Sequence, residues 1–390
     1  MRVLFYSSVF PRPWNTTRGI YCFHVCRALT QLGHEVSVVS PRSWLERRGP
    51  TRSLPGLAEL NVEYPLYFYP PRILQSAHDR FMAHSSHRTM ERVMAAQRPE
   101  CILSYWAHPD GAVAARFARA AGIPSAVIVG GSDVLVLARR AGRRRRSIVR
   151  ALHAVDAVIT VGRQLADKVE ELGIPARKVH VVYQGIDEAL FSPGAAIDAR
   201  RRLGIPEAGK VLVSVGNLIP VKGIDVLLEA LSRLSTRQKD VRLYLIGDGA
   251  ARRELEALVA RLGLETVVRF VGKVQQAELA DWYRAADLTV LASRSEGVPN
   301  VLRESLACGT PFVATRVGGV GEIAEGTTNR LVPAEDPAAL ADAITESLSM
   351  PRAPFTTNRF LTWQQSTQQI LDAVLRVDGG AAPGAGRRPP

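Results

Sequence analysis

Two glutamates and a lysine are the residues of this sequence best suited to chemistry. Glu296 and Glu304 stand eight positions apart in the stretch 292–309, with Gly297, Pro299, Asn300 and Val301 between them. The stretch follows the apolar run Leu288 to Leu291, short and branched enough for a buried strand. It continues through Val301, Leu302, Leu306 and Ala307 at helical spacing. It therefore reads as strand, loop and helix, with Pro299 in the first helical turn and Gly309 at the stop. N–H groups left free at a helix start, added to the helix dipole, make a place for a phosphate. Carboxylates beside a phosphate repel it, so Glu296 and Glu304 suit neutral hydroxyls, such as those of a sugar and a ribose. Lys222 is their complement. It follows Gly216 and Asn217 at the end of the apolar run 211–215 and precedes Gly223, and a lysine there offers a point charge to a departing diphosphate.

Elements able to hold such loops recur along the chain. Apolar runs suited to strands fall at 2–7, 35–40, 101–105, 125–129, 156–161 and 179–183, then at 211–215, 241–246, 267–271, 288–291, 311–314 and 330–332, with helical patterns between most of them. Apolar strands joined by helices imply parallel sheets covered on both faces. At 390 residues the chain is too long for one ordinary core. The expectation is an α/β fold of two doubly wound domains, with ligands at the carboxyl ends of the strands in the cleft between them. Small residues near 191–198 suggest the break.

Taken together, the Glu296…Glu304 pair, the glycines around Lys222, and the order of the other stretches resemble the retaining GT-B glycosyltransferases. The resemblance is in particular to glycosyltransferase family 4 with its Glu-x7-Glu signature, and it covers nearly the whole chain. It implies two Rossmann-like domains, an N-terminal acceptor domain (1–195) and a C-terminal nucleotide-sugar donor domain (196–355). A C-terminal helix within 356–378 would cross back to the first domain, and a tail at 379–390 is disordered by composition. It further implies that Glu296 lies by the transferred sugar, Glu304 holds the ribose, Lys222 meets the diphosphate, and the backbone near Lys273 and Val274 meets the base. Gly216, Asn217, Gly297, Pro299, Asn300 and Val301 complete the donor side, together with Gly19 of the first loop, where the backbone can come close to a ligand.

Three positions depart from the family pattern. Arg18-Gly19 replaces a Gly-Gly pair, and Asn217 replaces a basic residue whose charge Arg18, Arg294 or Arg303 could supply. Gly130 replaces a histidine that touches the sugar. His108, after the strand 101–105, is a catalytic candidate, although a helix-capping turn explains its neighbours Asp110 and Gly111 equally well. Asp133 is either an acceptor contact, as Arg18 is, or the N-cap of an arginine-rich helix.

The function implied is a metal-independent, retaining hexosyl transfer from a nucleotide-diphosphate sugar to a glycan or lipid-linked acceptor, in cell-surface polysaccharide biosynthesis. The donor is a UDP-sugar, with a GDP-sugar as second option, and no cofactor or metal is expected. The alternative is a catalytically inactive nucleotide-sugar or glycan binder of the same fold. No Asp-x-Asp occurs, and no Gly-x-Gly-x-x-Gly follows the first strand of either half, which argues against a dinucleotide-dependent oxidoreductase.

The formal charge of +13 asks for an anionic partner. Much of it sits in Arg139, Arg140, Arg143, Arg144, Arg145, Arg146 and Arg150, read as a basic amphipathic helix that is either a solvated face or a contact for anionic membrane or an acidic acceptor. No aromatics interleave with these arginines as a nucleic-acid platform would need. The aromatic connection with Tyr64, Tyr67, Phe68 and Tyr69 either meets the acceptor or packs a loop down. Cys22, Val25, Cys26 and Leu29 read as a buried helix stripe, and His78, His84 and His87 as solvated. With no leader-like or spanning apolar run, the expected location is cytoplasmic, peripheral at the inner face of the plasma membrane.

Overall fold

The structure, a computed structural model, describes all residues except 17, 52–53, 71–73, 140, 236–239, 351–359 and 377–390. Arg140, the tail from 379 and both ends of the 356–378 segment therefore lie outside the described residues. Internal contacts divide the chain into two compact units, Met1–Gly185 with the segment from Trp363, and Ile186–Thr362. The first boundary lies ten residues before the one read from sequence, for a physical reason: the Ile186 N–H donates to the Leu361 carbonyl at 2.9 Å, and Ile186 and Phe191 are buried in the second unit's core.

The first unit carries β1 (Arg2–Tyr6), β2 (Glu35–Val39), β3 (Asn61–Glu63), β4 (Cys101–Tyr105), β5 (Ser125–Val129), β6 (Ala157–Thr160) and β7 (Val179–Val181). They form one parallel sheet ordered β3-β2-β1-β4-β5-β6-β7. Strand alternation divides β1 between two cores, with Val3 and Phe5 packing on one face and Leu4 and Tyr6 on the other. Each such side chain contributes roughly 1.5–3 kcal/mol when fully buried, so a strand covered on both faces is stabilised along its whole length. The helix Ile20–Gln31 buries Cys22, Val25, Cys26 and Leu29 as its apolar stripe. The last helix, Trp363–Leu375, packs on it, with Trp363 stacked 4.7 Å from His24 and Gln364 donating to Gln31 at 2.8 Å.

The second unit repeats the plan with β8 (Lys210–Val215), β9 (Val241–Ile246), β10 (Val268–Gly272), β11 (Leu288–Leu291), β12 (Phe312–Thr315) and β13 (Arg330–Val332), all parallel and ordered β10-β9-β8-β11-β12-β13. Leu212 faces one core, Val211 and Val213 the other. In this order the chain leaves β8 in one direction and returns to its opposite side at β11. That reversal is a topological switch point, where connections diverge and leave a crevice beyond the carboxyl ends of the strands. The loops carrying Lys222 and Glu296 follow these two strands. Among the described residues, no helix is long and apolar enough to cross a membrane.

Candidate active site

Three loops meet beyond β8, β11 and β12. Gly223, at φ +60°, passes so close to the loop after β11 that a Cβ there would lie 2.0 Å from the Ala292 carbonyl oxygen; Gly318, at φ +56°, would put one 1.9 Å from that of Glu296. Only glycine permits both the conformation and the approach. Arg294 locks the arrangement. Its backbone N–H donates to the Val221 carbonyl at 2.8 Å, and its guanidinium holds Asp225 at 2.7 and 2.9 Å, Glu335 and the Pro220 carbonyl. Arg303 is buried, with its guanidinium 5.2 Å from the Phe360 ring and donating to Asn300 at 3.4 Å. Both arginines are thus committed to the frame rather than open beside Asn217, which is exposed.

Within this frame Lys222 donates to the Glu296 carboxylate at 2.6 Å, and Ser293 donates to the same oxygen at 2.6 Å. The lysine and the first glutamate, read from sequence as serving different parts of a ligand, are thus partners at rest. Pro299 caps the following helix rather than starting it: its ψ of 114° is extended, so helical geometry begins at Asn300 and runs to Ala307. One turn on, Glu304 accepts from the Tyr283 hydroxyl at 3.0 Å. Burial pushes the Glu304 carboxyl up to about 7, against the Tyr283 hydrogen bond and the charge of Arg303, which lower it. Tyr283, fully buried on the helix Gln276–Ala285, was not read as a site residue; it lies 21 positions from Glu304, and nothing local in the sequence links them. Gly216 extends the ladder beyond β8 by donating to the Ile246 carbonyl at 2.9 Å, Gly297 accepts from the Gly319 N–H at 2.7 Å, and Val301 and Val274 pack at the edge of the neighbouring core.

The candidates in the first unit occupy a second strand-end region, by the β1/β4 switch point. Gly19 is close to backbone, as expected, but the backbone is the chain's own: at φ +65° a Cβ would lie 2.3 Å from the Val9 carbonyl oxygen. Arg18 beside it is exposed. His108 is buried, with its Nε2 3.2 Å from the Asp79 carboxylate. Asp110 does not cap a turn. It is fully buried and accepts from both the N–H and the hydroxyl of Ser8, joining the loops after β4 and β1, and burial raises its carboxyl to about 6 against those bonds. Asp133 is not the cap of the arginine-rich helix, which begins ten residues later as Arg143–Ala154. Its buried carboxylate accepts from the N–H groups of Ala107 (3.0 Å), Val134 (3.1 Å) and Gly130 (3.4 Å), bracing the turns after β4 and β5. The place a side chain would take at Gly130 is filled: a Cβ there would lie 2.6 Å from the Tyr105 hydroxyl and 3.1 Å from the Trp106 ring. His78 is not solvated; it stacks 3.9 Å from Tyr69, and burial, with the charge of His108, pulls it down to about 4.

Two parallel α/β units, each with its chemistry-bearing loops at strand ends, define the GT-B class. Comparison places the chain within it. The profile for Glycosyltransferase Family 4 matches residues 19–190 and that for Glycosyl transferases group 1 matches residues 209–350; the chain belongs to the family 4 type of GT-B glycosyltransferases. It is 38% identical over 240 residues to D-inositol 3-phosphate glycosyltransferase 2 of Catenulispora acidiphila, covering 59% of this chain and 55% of that one. The chain thus spans about half the length of several of the curated relatives it matches. It is 29% identical over 362 residues, 88% of each chain, to the glycosyltransferase TuaC of Bacillus subtilis, to which teichuronic acid biosynthesis is provisionally ascribed. Among solved structures, Anabaena Alr3699/HepE in complex with UDP and glucose superposes with a TM-score of 0.75 at 21% identity, covering 96% of this chain and 100% of that one.

Proposed function

We propose that the protein transfers a hexosyl group from a nucleoside-diphosphate sugar, a UDP-sugar in the first instance, to a glycan or lipid-linked acceptor of cell-surface polysaccharide synthesis, with retention of configuration. The observation that carries this reading is the Lys222–Glu296 pair beside the switch point, with the half-buried Glu304 carboxylate one helical turn beyond. When a donor binds, its diphosphate competes with Glu296 for the Lys222 ammonium. The lysine then neutralises charge that grows on the leaving phosphate as the glycosidic bond breaks. Preorganised charge of this kind is worth several powers of ten in rate and takes the place of a metal. The displaced Glu296 carboxylate, still held by Ser293, accepts from hydroxyls of the transferred sugar, and Glu304 accepts from the ribose. The acceptor hydroxyl attacks the face the diphosphate leaves, and its proton passes to the departing phosphate oxygen, so bonds and protons balance. The complexes of Anabaena Alr3699/HepE with UDP and with UDP-glucose support the donor class.

The test is thermal stability with UDP, GDP, ADP and NAD on the wild type and on Glu304→Ala. A ligand at about 100 times its dissociation constant adds roughly 2.7 kcal/mol, a readable shift. A shift with one nucleoside diphosphate, lost in the variant, supports the donor site and names the base. A shift with NAD alone, or with none of the four, overturns it. Nuclear magnetic resonance of the first-formed product then reads the anomeric configuration, and an inverted product removes retention from the proposal.

A further inference from the structure

Four arginines, Arg143 to Arg146, open the helix Arg143–Ala154, and its first turn holds no acidic residue. Cations at a helix N-terminus oppose the helix dipole, so this placement works against the helix that carries it. Among the described residues no carboxylate pairs with them or with Arg150: Arg144 donates only to Gln75, at 3.3 Å, and Arg150 to Ser147, at 3.1 Å. Arg143, Arg145, Arg146 and Arg150 line a surface pocket of about 660 Å³ whose wall also includes Val149 and Leu172. Two exposed aliphatic groups belong to turns in contact with the same helix. Val136, 63% exposed, lies on the turn Asp133–Leu137 that packs against this helix. Leu74, 53% exposed, leads into the turn Gln75–Ala77, which is tied to the helix by the Arg144 bond and by Ser147 donating to the Ser76 carbonyl at 3.0 Å.

We propose that this face of the first unit is a docking site for an anionic membrane surface, with the lipid phosphates taken by Arg143, Arg145 and Arg146 and with Val136 and Leu74 entering the interfacial layer. A cationic helix flanked by exposed aliphatic groups combines the two attractions that hold peripheral proteins at anionic bilayers. Phosphates in solution would use the arginines but give Val136 and Leu74 no reason to face water. The site deepens the lipid-linked acceptor reading by placing the protein where such an acceptor is found. Membrane binding needs no donor, so its failure would leave nucleotide binding untouched, and the reverse.

The experiment is co-sedimentation of the full chain with vesicles of phosphatidylcholine, with and without phosphatidylglycerol, at low and physiological salt. The wild type is expected to partition onto the anionic vesicles alone, less so at higher salt. The triple variant Arg143→Gln, Arg145→Gln, Arg146→Gln should partition about 100-fold more weakly, with an unchanged melting temperature showing that it folds; Arg145→Glu serves in its place should the triple not fold. Val136→Ser should weaken partitioning by a smaller factor, about 10-fold. Equal binding to both vesicle types, binding unaffected by the arginine changes, or retention of soluble polyphosphate or single-stranded DNA in preference to vesicles would each overturn the proposal.

Discussion

Among the described residues two helices carry runs of three or more consecutive arginines, and the two runs have opposite fates. In Ala196–Leu203 of the second unit, Arg200, Arg201 and Arg202 fall in the last turn, where the helix dipole favours cations, and each is paired. Arg200 is buried and bonds Asp287 at 2.8 Å and the Glu207 carbonyl at 2.6 Å; Arg201 takes the Glu207 carboxylate and Arg202 takes Asp281. In Arg143–Ala154 of the first unit the arginines fall in the first turn, where the dipole opposes them, with no carboxylate among the described residues to receive them. One cluster is part of the fold. The other is surplus to it, so identical residue types in similar runs carry different meanings, which only the partners reveal.

The largest effect expected from breaking this contrast is at the buried member. Arg200→Ala leaves the Asp287 carboxylate with the Val211 N–H but no countercharge, and removes the guanidinium from three carbonyl contacts, at Ala285, Glu207 and Gly209. Breaking a buried pair on one side costs about 3–5 kcal/mol, so the urea midpoint should fall steeply. A loss under about 1 kcal/mol would show that the pair is not structural.

A third kind of charge, paired at rest and exchanged in use, is represented by Lys222. Lys222→Ala should lower donor turnover by about 100-fold or more; because the two side chains are only 23% and 9% exposed, it should also lower the thermal stability of the free protein, by less than Arg200→Ala because Ser293 still donates to Glu296. Turnover that survives would assign the diphosphate to another group.

Glu304 is next, and its effect is read in pH. Its carboxyl titrates near 7 rather than at the ordinary 4.5 because burial disfavours the charge. In this interval the folded state holds the Glu304 proton more tightly than the unfolded one, so the contribution of Glu304 to stability is greatest below about 4.5 and falls as pH rises toward 7. Glu304→Gln should flatten that part of the urea-midpoint profile. Nucleotide binding by the wild type should strengthen over the same interval as the carboxylate becomes able to accept two hydroxyls. Parallel profiles for the two proteins would place the titration elsewhere.

What the sequence made legible follows the same division between local and distant causes. Strands 101–105, 125–129, 241–246 and 288–291 were readable to the residue, because a run of branched apolar residues in a doubly covered parallel sheet carries its own signal. Asn61–Glu63 was missed because a three-residue edge strand with one apolar side chain carries none. The pair of glutamates and the lysine were legible from type and spacing, but their partners were not: Lys222 and Glu296 lie 74 positions apart, and Asp110 and Ser8 lie 102 apart. Of the three histidines read as solvated, His84 and His87 are exposed, and only His78 departs, for the converse reason. His78 shares its helix with exposed neighbours, yet Tyr69 of the aromatic connection covers it.

The smallest effect sharpens the contrast most. If the first-turn arginines of Arg143–Ala154 serve something outside the fold, removing one should cost no stability. Arg145→Gln relieves an unfavourable dipole contact worth about 0.3–1 kcal/mol at low ionic strength, and repulsion from its arginine neighbours as well. The urea midpoint should therefore stay unchanged or rise slightly, and the rise should shrink with added salt as screening takes over. A matched Arg202→Gln, which removes a bidentate partner of Asp281 in the last turn of the other helix, should instead lower it slightly, as expected for an exposed but well-aligned pair. Opposite signs for one substitution at two arginines would separate charge kept for the fold from charge kept for a partner. Equal signs would mean that the arginines near Gln75 and Ser76 pack on the unit's own surface after all, and that their cost to the helix is offset within it.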